Sequence, residues 1–85
     1  MSRHALITGA GSGIGRQVAH RFAELGFRVT LVDINPEALA AVAEECRAAG
    51  ADDATVLAAD LANPTGPGDV VARAWAEAPV DVLVN

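Results

Sequence analysis

The sequence predicts an α/β fold in which a parallel sheet is covered by helices, and two observations lead to that prediction. Short runs rich in apolar and β-branched residues alternate with segments of helical periodicity along the chain. The first run is followed directly by a glycine-rich turn, residues 8–15, that leads into a helical pattern. A strand, a helix and a second strand within about thirty residues form a βαβ unit, whose strands are parallel and whose crossover is right-handed.

Composition limits the classes of protein that the chain can belong to. Its 85 residues are 52% hydrophobic and 20% charged, which is typical of one soluble globular domain. The net charge is −5 and the arginines are scattered, so the sequence favours neither a nucleic-acid partner nor an anionic membrane. A single cysteine, Cys46, allows no internal disulfide. No run is long enough to span a bilayer, and we predict a cytoplasmic protein.

The first element is a short buried strand over residues 4–8, and the turn after it has the features of a phosphate-binding loop. Glycine accepts positive φ angles and close approach, and a helix N-terminus offers unpaired N–H groups with partial positive charge. The chain contains no lysine, which excludes a Walker loop, and the spacing G-x-G-x-x-G is not met. The spacing T-G-x-x-x-G-x-G is met by Thr8, Gly9, Gly13 and Gly15.

This spacing resembles that of the cofactor turn in the short-chain dehydrogenase/reductase family. The resemblance implies a Rossmann-type, doubly wound parallel sheet, present in part as four strands in the order 3-2-1-4 with three helices. It also implies that the turn binds a nicotinamide dinucleotide. The candidate cofactor-binding residues of the turn are Gly9, Gly11, Ser12, Gly13, Ile14 and Gly15. The alternative is that the glycines only form a tight turn.

The first helix and second strand follow the turn. The helix pattern predicts an apolar face packed on the sheet, and Gly26 stands where a helix-ending glycine belongs. That face consists of Ile14, Val18, Phe22 and Leu25. Residues 28–33 then read as a second strand, since they are largely apolar and β-branched.

Asp33, at the end of this strand, is the candidate that determines which cofactor is bound. It lies about twenty residues beyond the turn, where its carboxylate can accept hydrogen bonds from the adenosine ribose and would repel a 2′-phosphate. We therefore expect NAD(H) to be preferred over NADP(H). Positions where a basic residue would favour the phosphorylated cofactor hold Ser12 and Ile34. The alternative is that Asp33 only ends the strand or caps a turn.

The second helix has signals at both ends, with Asn35 as cap, Pro36 in the first turn and Gly50 after the last. Its apolar stripe includes Cys46, which we interpret as a packing residue.

A third strand follows over residues 54–59. In the family that the chain resembles, an aspartate and an apolar residue at the next positions lie beside the adenine, and Asp60 and Leu61 match that pattern. An aspartate that simply ends a strand is the alternative.

The last part of the chain predicts a third helix from about Asp69 and a fourth strand over residues 80–85. Trp75 is expected to be a core residue of that helix, with its indole N–H at the rim. In the family, this strand is followed by Asn-Asn-Ala-Gly, and Asn85 corresponds to the first residue of that motif.

The catalytic groups that the resemblance implies are a tyrosine acid/base, a lysine that lowers the pKa of that tyrosine, and a substrate-orienting serine. The chain has no tyrosine and no lysine, and its serines are Ser2 and Ser12. We therefore predict that these 85 residues alone are inactive and contain no catalytic residue. His4 and His20 are interpreted as surface or strand-end histidines, and no metal site is expected.

The resemblance as a whole implies that residues 1–85 are the N-terminal half of a single Rossmann domain, truncated after the fourth strand. The full-length protein would be an NAD(H)-dependent oxidoreductase acting on a small alcohol or carbonyl compound, and a homo-oligomer. Two alternatives remain open. One is a stand-alone module that binds NAD or ADP-ribose without catalysis, and the other is an interaction fragment that pairs through its open sheet edge.

Overall fold

A computed structural model describes residues 2–85, and in it strands and helices alternate from the first element to the last. The elements are β1 (His4–Thr8), α1 (Gly13–Glu24), β2 (Arg28–Asp33), α2 (Pro36–Ala49), β3 (Asp53–Ala58), α3 (Gly66–Glu77) and β4 (Val82–Val84). The predicted number and sequence of elements are thereby confirmed.

The strands form one parallel sheet in the order β3-β2-β1-β4, which confirms the predicted topology. A row of paired residues crosses the sheet through Ala54, Val29, Ala5 and Val82. All four strands run in one direction, so their carboxyl ends meet at a single edge. Ligands of open α/β sheets bind at that edge.

Side chains that alternate along the strands supply two separate cores. Ala5 and Ile7 of β1 face α1 and α2, whereas Leu6 between them faces α3. The core under α1 and α2 is the larger one. Its buried members are Ala5, Ile7, Ala10, Ala19, Ala23, Val29, Leu31, Leu39, Val42, Ala43, Cys46 and Ala54.

Helix α2 begins and ends at the residues that the sequence predicts. The Asn35 side-chain oxygen accepts hydrogen bonds from the amides of Glu37 and Ala38, at 3.0 and 3.1 Å. Gly50 ends the helix with a φ of 119°, a conformation that side-chain-bearing residues rarely adopt. Cys46 is fully buried in the larger core, as its position on the apolar stripe predicts.

Helix α1 packs on the sheet through a face that shares only part of the predicted one: Phe22 packs against the larger core, but the fully buried residues are ones that the prediction left out. Ile14 is 81% exposed and Leu25 57% exposed, whereas Ala19 and Ala23 are fully buried. Alanine has no side chain beyond Cβ, so these two residues let the helix lie close to the strands. Counting only large apolar residues therefore placed the centre of the buried face incorrectly.

Helix α3 also differs from the prediction, since it begins at Gly66 rather than near Asp69. Pro67 lies in its first turn, where a missing N–H and a fixed φ are tolerated. The helix packs through Val70 and Ala74, one turn apart, and Trp75 is 52% exposed. The prediction that Trp75 is a core residue was wrong.

His4 is buried, which corrects the surface interpretation, although it does lie at a strand end. Its Nδ1 lies 3.0 Å from the carbonyl oxygen of Ala78 and its Nε2 2.7 Å from Thr30 Oγ1. A carbonyl only accepts, so Nδ1 is the donor in the first bond, and Nε2 forms the second bond with the threonine hydroxyl. Its backbone amide donates to Asp81 Oδ2 at 2.8 Å. His4 is thus a structural link between β1, β2 and the segment before β4.

Across residues 2–85, none of the helices combines the length and the hydropathy that crossing a membrane requires.

Candidate functional site

The glycine turn lies at the carboxyl edge of the sheet, between the end of β1 and the start of α1. Gly9 and Gly13 have φ angles of 63° and 58°, in the left-handed region that favours glycine. Gly15 is required for a different reason, because a Cβ there would overlap the carbonyl oxygen of Gly9. The three glycines of the predicted spacing therefore each have a physical role in the turn.

The backbone amides of the turn divide into two groups. Ala10 N donates to Val32 O at 3.0 Å, and Gly11 N donates to Asp33 Oδ2 at 2.9 Å. The next amide that donates is Arg16 N, to Ser12 O at 3.3 Å. Within the part of the chain that the structure describes, the amides of residues 12–15 have no hydrogen-bond acceptor. Four consecutive unpaired amides at a helix N-terminus can bind an anion.

Asp33 lies beside this turn, at the end of the neighbouring strand β2. Its Oδ1 accepts a hydrogen bond from Ile34 N at 2.7 Å, and its Oδ2 accepts the bond from Gly11 N. The side chain is half-buried. The sequence predicted that the Asp33 carboxylate lies at this edge of the sheet. It did not predict the hydrogen bond from Gly11 N of the turn to that carboxylate.

Asn85 is linked to the turn from the other side. Thr8 Oγ1 lies 3.1 Å from Asn85 Oδ1 and 3.3 Å from the carbonyl oxygen of Val84. The threonine that opens the glycine spacing thus contacts the residue that follows β4. These two predicted features, 77 positions apart in sequence, meet at one edge of the sheet.

Asp60 and Leu61 lie beyond the end of β3, at the same edge. Asp60 Oδ1 accepts a hydrogen bond from Ala62 N at 2.9 Å, and Leu61 is half-buried. Leu61 shares an apolar pocket of about 280 Å³ with Thr8 and Asn85. Asp60 instead lines an adjoining cavity of about 230 Å³ under α3. The structure therefore brings Leu61 and Asn85 together and leaves Asp60 next to them.

An ionic cluster that sequence reasoning missed joins α1 to α2. Glu45 accepts hydrogen bonds from Arg16 and, at 2.6 Å, from Nε2 of His20. These bonds hold the pKa of the Glu45 carboxyl below its ordinary value, Arg16 having the larger effect. The residues are 25 to 29 positions apart, so no local spacing predicts the cluster. It connects the helix that follows the turn to α2.

Within residues 2–85, no group of three or more histidine, cysteine, aspartate or glutamate side chains could hold a metal ion. Burial raises the pKa of the Cys46 thiol above its ordinary value, as expected for a packing residue.

Comparison with known proteins decides the family. The model of the short chain dehydrogenase family matches residues 3–85, nearly the whole chain. The chain belongs to the short-chain dehydrogenase family. The match includes the glycine turn, Asp33, Asp60 and Asn85, so all the features described above fall within the part that the family shares.

Two curated relatives are similar to nearly the whole of this chain. Galactitol 2-dehydrogenase (L-tagatose-forming) of Cereibacter sphaeroides is 41% identical over 95% of this chain. A 1-deoxy-11-beta-hydroxypentalenate dehydrogenase of Streptomyces avermitilis is 39% identical over 95% of it. The chain covers 31% and 30% of these proteins, so it spans about a third of their length.

Solved structures of short-chain dehydrogenases superimpose closely on the chain. A 3-oxoacyl (acyl-carrier-protein) reductase of Agrobacterium tumefaciens, with NADP bound, gives a TM-score of 0.88 at 41% identity, covering 95% of this chain and 31% of that one. A hydroxysteroid dehydrogenase of Escherichia coli gives 0.91 at 34% identity, covering 98% and 34%. The sheet and its helices therefore have the Rossmann-type arrangement of the family.

Proposed function

We propose that the chain forms the part of an NAD(H)-dependent short-chain dehydrogenase that binds the adenosine and pyrophosphate of the cofactor. The observation that carries the proposal is the position of the Asp33 carboxylate. It lies beside a turn whose next four amides are unpaired, so one edge offers an anion site and a hydrogen-bond acceptor together.

The pyrophosphate would bind to the amides of residues 12–15. These amides lie at the N-terminus of α1, where the helix dipole adds a partial positive charge. Gly13 and Gly15 have no side chains that would keep a phosphate from the backbone. Gly9 has a role in the shape of the turn, and Gly11 donates its amide to Asp33 rather than to a phosphate.

The ribose would bind to Asp33. Each carboxylate oxygen accepts one backbone N–H and has a further lone pair that can accept a ribose hydroxyl. A 2′-phosphate at the same place would bring two negative charges together, which favours NAD(H) over NADP(H). One structural relative has NADP bound, so similarity to solved structures does not by itself assign the cofactor. The preference is therefore tested on this chain's own residues.

The remaining contacts of the proposal are made by residues at the ends of β3 and β4. Asp60 and Leu61 would lie beside the adenine. Asn85, which contacts Thr8, would continue the site along β4. A homo-oligomeric full-length protein and a cytoplasmic location stay predictions.

When bound, NAD(H) supplies the hydride acceptor or donor for interconversion of an alcohol and a carbonyl compound. The chain contains neither tyrosine nor lysine, so it cannot provide the acid/base pair that the family resemblance implies. We infer that residues 1–85 bind the cofactor without turnover and that catalysis in a longer protein uses groups beyond them.

Calorimetric titration of the chain with NAD, NADP and ADP tests this proposal. The wild type should bind NAD more tightly than NADP, and Asp33→Ala should weaken NAD binding about tenfold by removing charge-assisted hydrogen bonds. Asp53→Ala is the matched control, since Asp53 lies at the amino end of β3, away from the site. Tighter binding of NADP by the wild type would contradict the cofactor assignment. Self-association without nucleotide binding would favour the interaction fragment.

A further inference from the structure

We infer that Gly11 is a positioning residue for cofactor selectivity: its amide and its lack of a side chain hold the Asp33 carboxylate in the orientation that excludes a 2′-phosphate. The inference rests on the proposed function, because it concerns the same ribose site. It assigns the selectivity to a contact between the turn and β2 rather than to Asp33 alone.

The first step concerns the carboxylate itself. Both of its oxygens accept a backbone N–H, from Gly11 at 2.9 Å and from Ile34 at 2.7 Å. Two hydrogen bonds from two different segments fix the side-chain torsion angles of Asp33. Charge-assisted bonds of this kind are stronger than neutral ones, so the carboxylate is held in place before any cofactor arrives.

The second step concerns the space around Gly11. A Cβ at this position would lie 2.7 Å from Asp33 Oδ2, 3.1 Å from Asp33 Cγ and 3.2 Å from Ala38 Cβ. Ala38 lies in the first turn of α2, just beyond the Asn35 cap, and the 3.2 Å contact with its Cβ requires a shift of only a few tenths of an ångström. The carboxylate is the group that would have to shift.

The third step separates Gly11 from the other glycines of the turn. Gly9 and Gly13 have positive φ angles, whereas Gly11 does not. An alanine at position 11 therefore meets no backbone strain of that kind, and its main conflict is with Asp33. Substitution at Gly11 changes the position of the carboxylate while the phosphate-binding amides of residues 12–15 keep their conformation.

The consequence for selectivity follows from the distance dependence of electrostatic repulsion. A carboxylate turned away from the ribose would repel a 2′-phosphate less and would lose hydrogen bonds to the ribose hydroxyls. Gly11→Ala should therefore weaken NAD binding and improve NADP binding relative to it, through Asp33.

The test is calorimetric titration of the wild type, Gly11→Ala, Asp33→Ala and the double variant with NAD and with NADP. Gly11→Ala should lower the ratio of the NADP to the NAD dissociation constant about tenfold. In the Asp33→Ala background, which has no carboxylate to reposition, the same substitution should leave the ratio unchanged, which a general loss of structure would not do. Gly68→Ala is the control, because a Cβ there meets no atom within 4 Å.

A Gly11→Ala ratio equal to that of the wild type, or an equal fall in the Asp33→Ala background, would overturn the inference alone. A wild type that binds neither nucleotide, or that prefers NADP, would overturn the proposed function and this inference with it. Circular dichroism checks that each variant folds. If Gly11→Ala does not fold, Asp33→Glu replaces it, because this variant keeps the negative charge but moves the carboxylate. An unchanged ratio of the NADP to the NAD dissociation constant would then refute the claim that selectivity depends on the position of the carboxylate.

Discussion

At the scale of single residues, the glycine turn shows that equal residue types can serve different physical needs. Gly9 and Gly13 supply positive φ angles, Gly15 allows the start of α1 to lie against the backbone of the turn, and Gly11 leaves room for the Asp33 carboxylate. Substitution of each glycine by alanine should therefore affect a different property of the chain. Loss of stability is expected at Gly15, and a change of selectivity at Gly11.

Gly15→Ala should destabilise the chain by about 1–3 kcal/mol or more, because its Cβ would overlap the carbonyl oxygen of Gly9 and backbone cannot yield as a flexible side chain can. Urea denaturation followed by circular dichroism measures the change. Gly68→Ala should leave stability unchanged or raise it slightly, since the position is open and helical. Equal stability of Gly15→Ala and the wild type would show that the turn is not packed as described.

The same residues show what the sequence can and cannot predict. The spacing of Thr8, Gly9, Gly13 and Gly15 is local, so it was sufficient to predict the turn and its edge of the sheet. The hydrogen bond from Gly11 to Asp33 joins residues 22 positions apart, so no local sequence pattern predicts it. His4 was misjudged for the same reason, because its partners Thr30 and Ala78 are brought to it only by the folded sheet.

At the scale of elements, α2 was predictable and α1 was predictable only in part. The cap of α2, its first-turn proline and its final glycine are each local signals of the backbone. The buried face of α1 depends instead on how closely the helix approaches the sheet, and the small residues Ala19 and Ala23 determine that. Hydrophobic periodicity does not indicate how close a helix lies to the sheet.

Ala23→Val tests the corrected face of α1. Ala23 is fully buried in the larger core, so two added methyl groups should overpack it and lower the free energy of unfolding by about 1–3 kcal/mol. Leu25→Ala, at a position that is 57% exposed, should change it by less than about 0.5 kcal/mol. Urea denaturation measures both changes in the free energy of unfolding. A larger loss for Leu25→Ala than for Ala23→Val would support the face predicted from the sequence instead.

The ionic cluster between α1 and α2 predicts a pH dependence. The pKa of Glu45 is lowered in the folded chain, chiefly by Arg16 and then by His20, so its contribution to stability is complete above its ordinary value of 4.5. That contribution is lost as the pH falls through the lower, folded-state pKa. Glu45→Gln should therefore lower the melting temperature at neutral pH, and its difference from the wild type should shrink in acid.

Thermal unfolding of both proteins from neutral pH down into the acid range below 4.5 measures this difference. Glu44→Gln is the matched control, since Glu44 is exposed and is absent from the ion pairs of the described residues. A difference that stays constant with pH would show that Glu45 acts through packing rather than through its charge.

At the scale of the whole molecule, the order of the strands brings the candidate site together. β1 is flanked by β2 and β4, so the turn after β1 meets Asp33 on one side and Asn85 on the other. The elements were predictable because each strand and each turn has its own local signal, whereas the order of the strands was implied by the family resemblance. It did not predict how α3 covers its face of the sheet, where Trp75 and Leu83 remain about half exposed.

The central claim is that the unpaired amides of residues 12–15 bind the pyrophosphate of a dinucleotide whose ribose contacts Asp33. A titration of ¹⁵N-labelled chain with NAD, followed by amide chemical shifts, tests it residue by residue. We expect the largest shifts at Ser12, Gly13, Ile14 and Gly15, with further shifts at Gly11 and Ile34, whose amides bond the carboxylate. Saturable shifts confined to another surface, with these amides unchanged, would contradict the account.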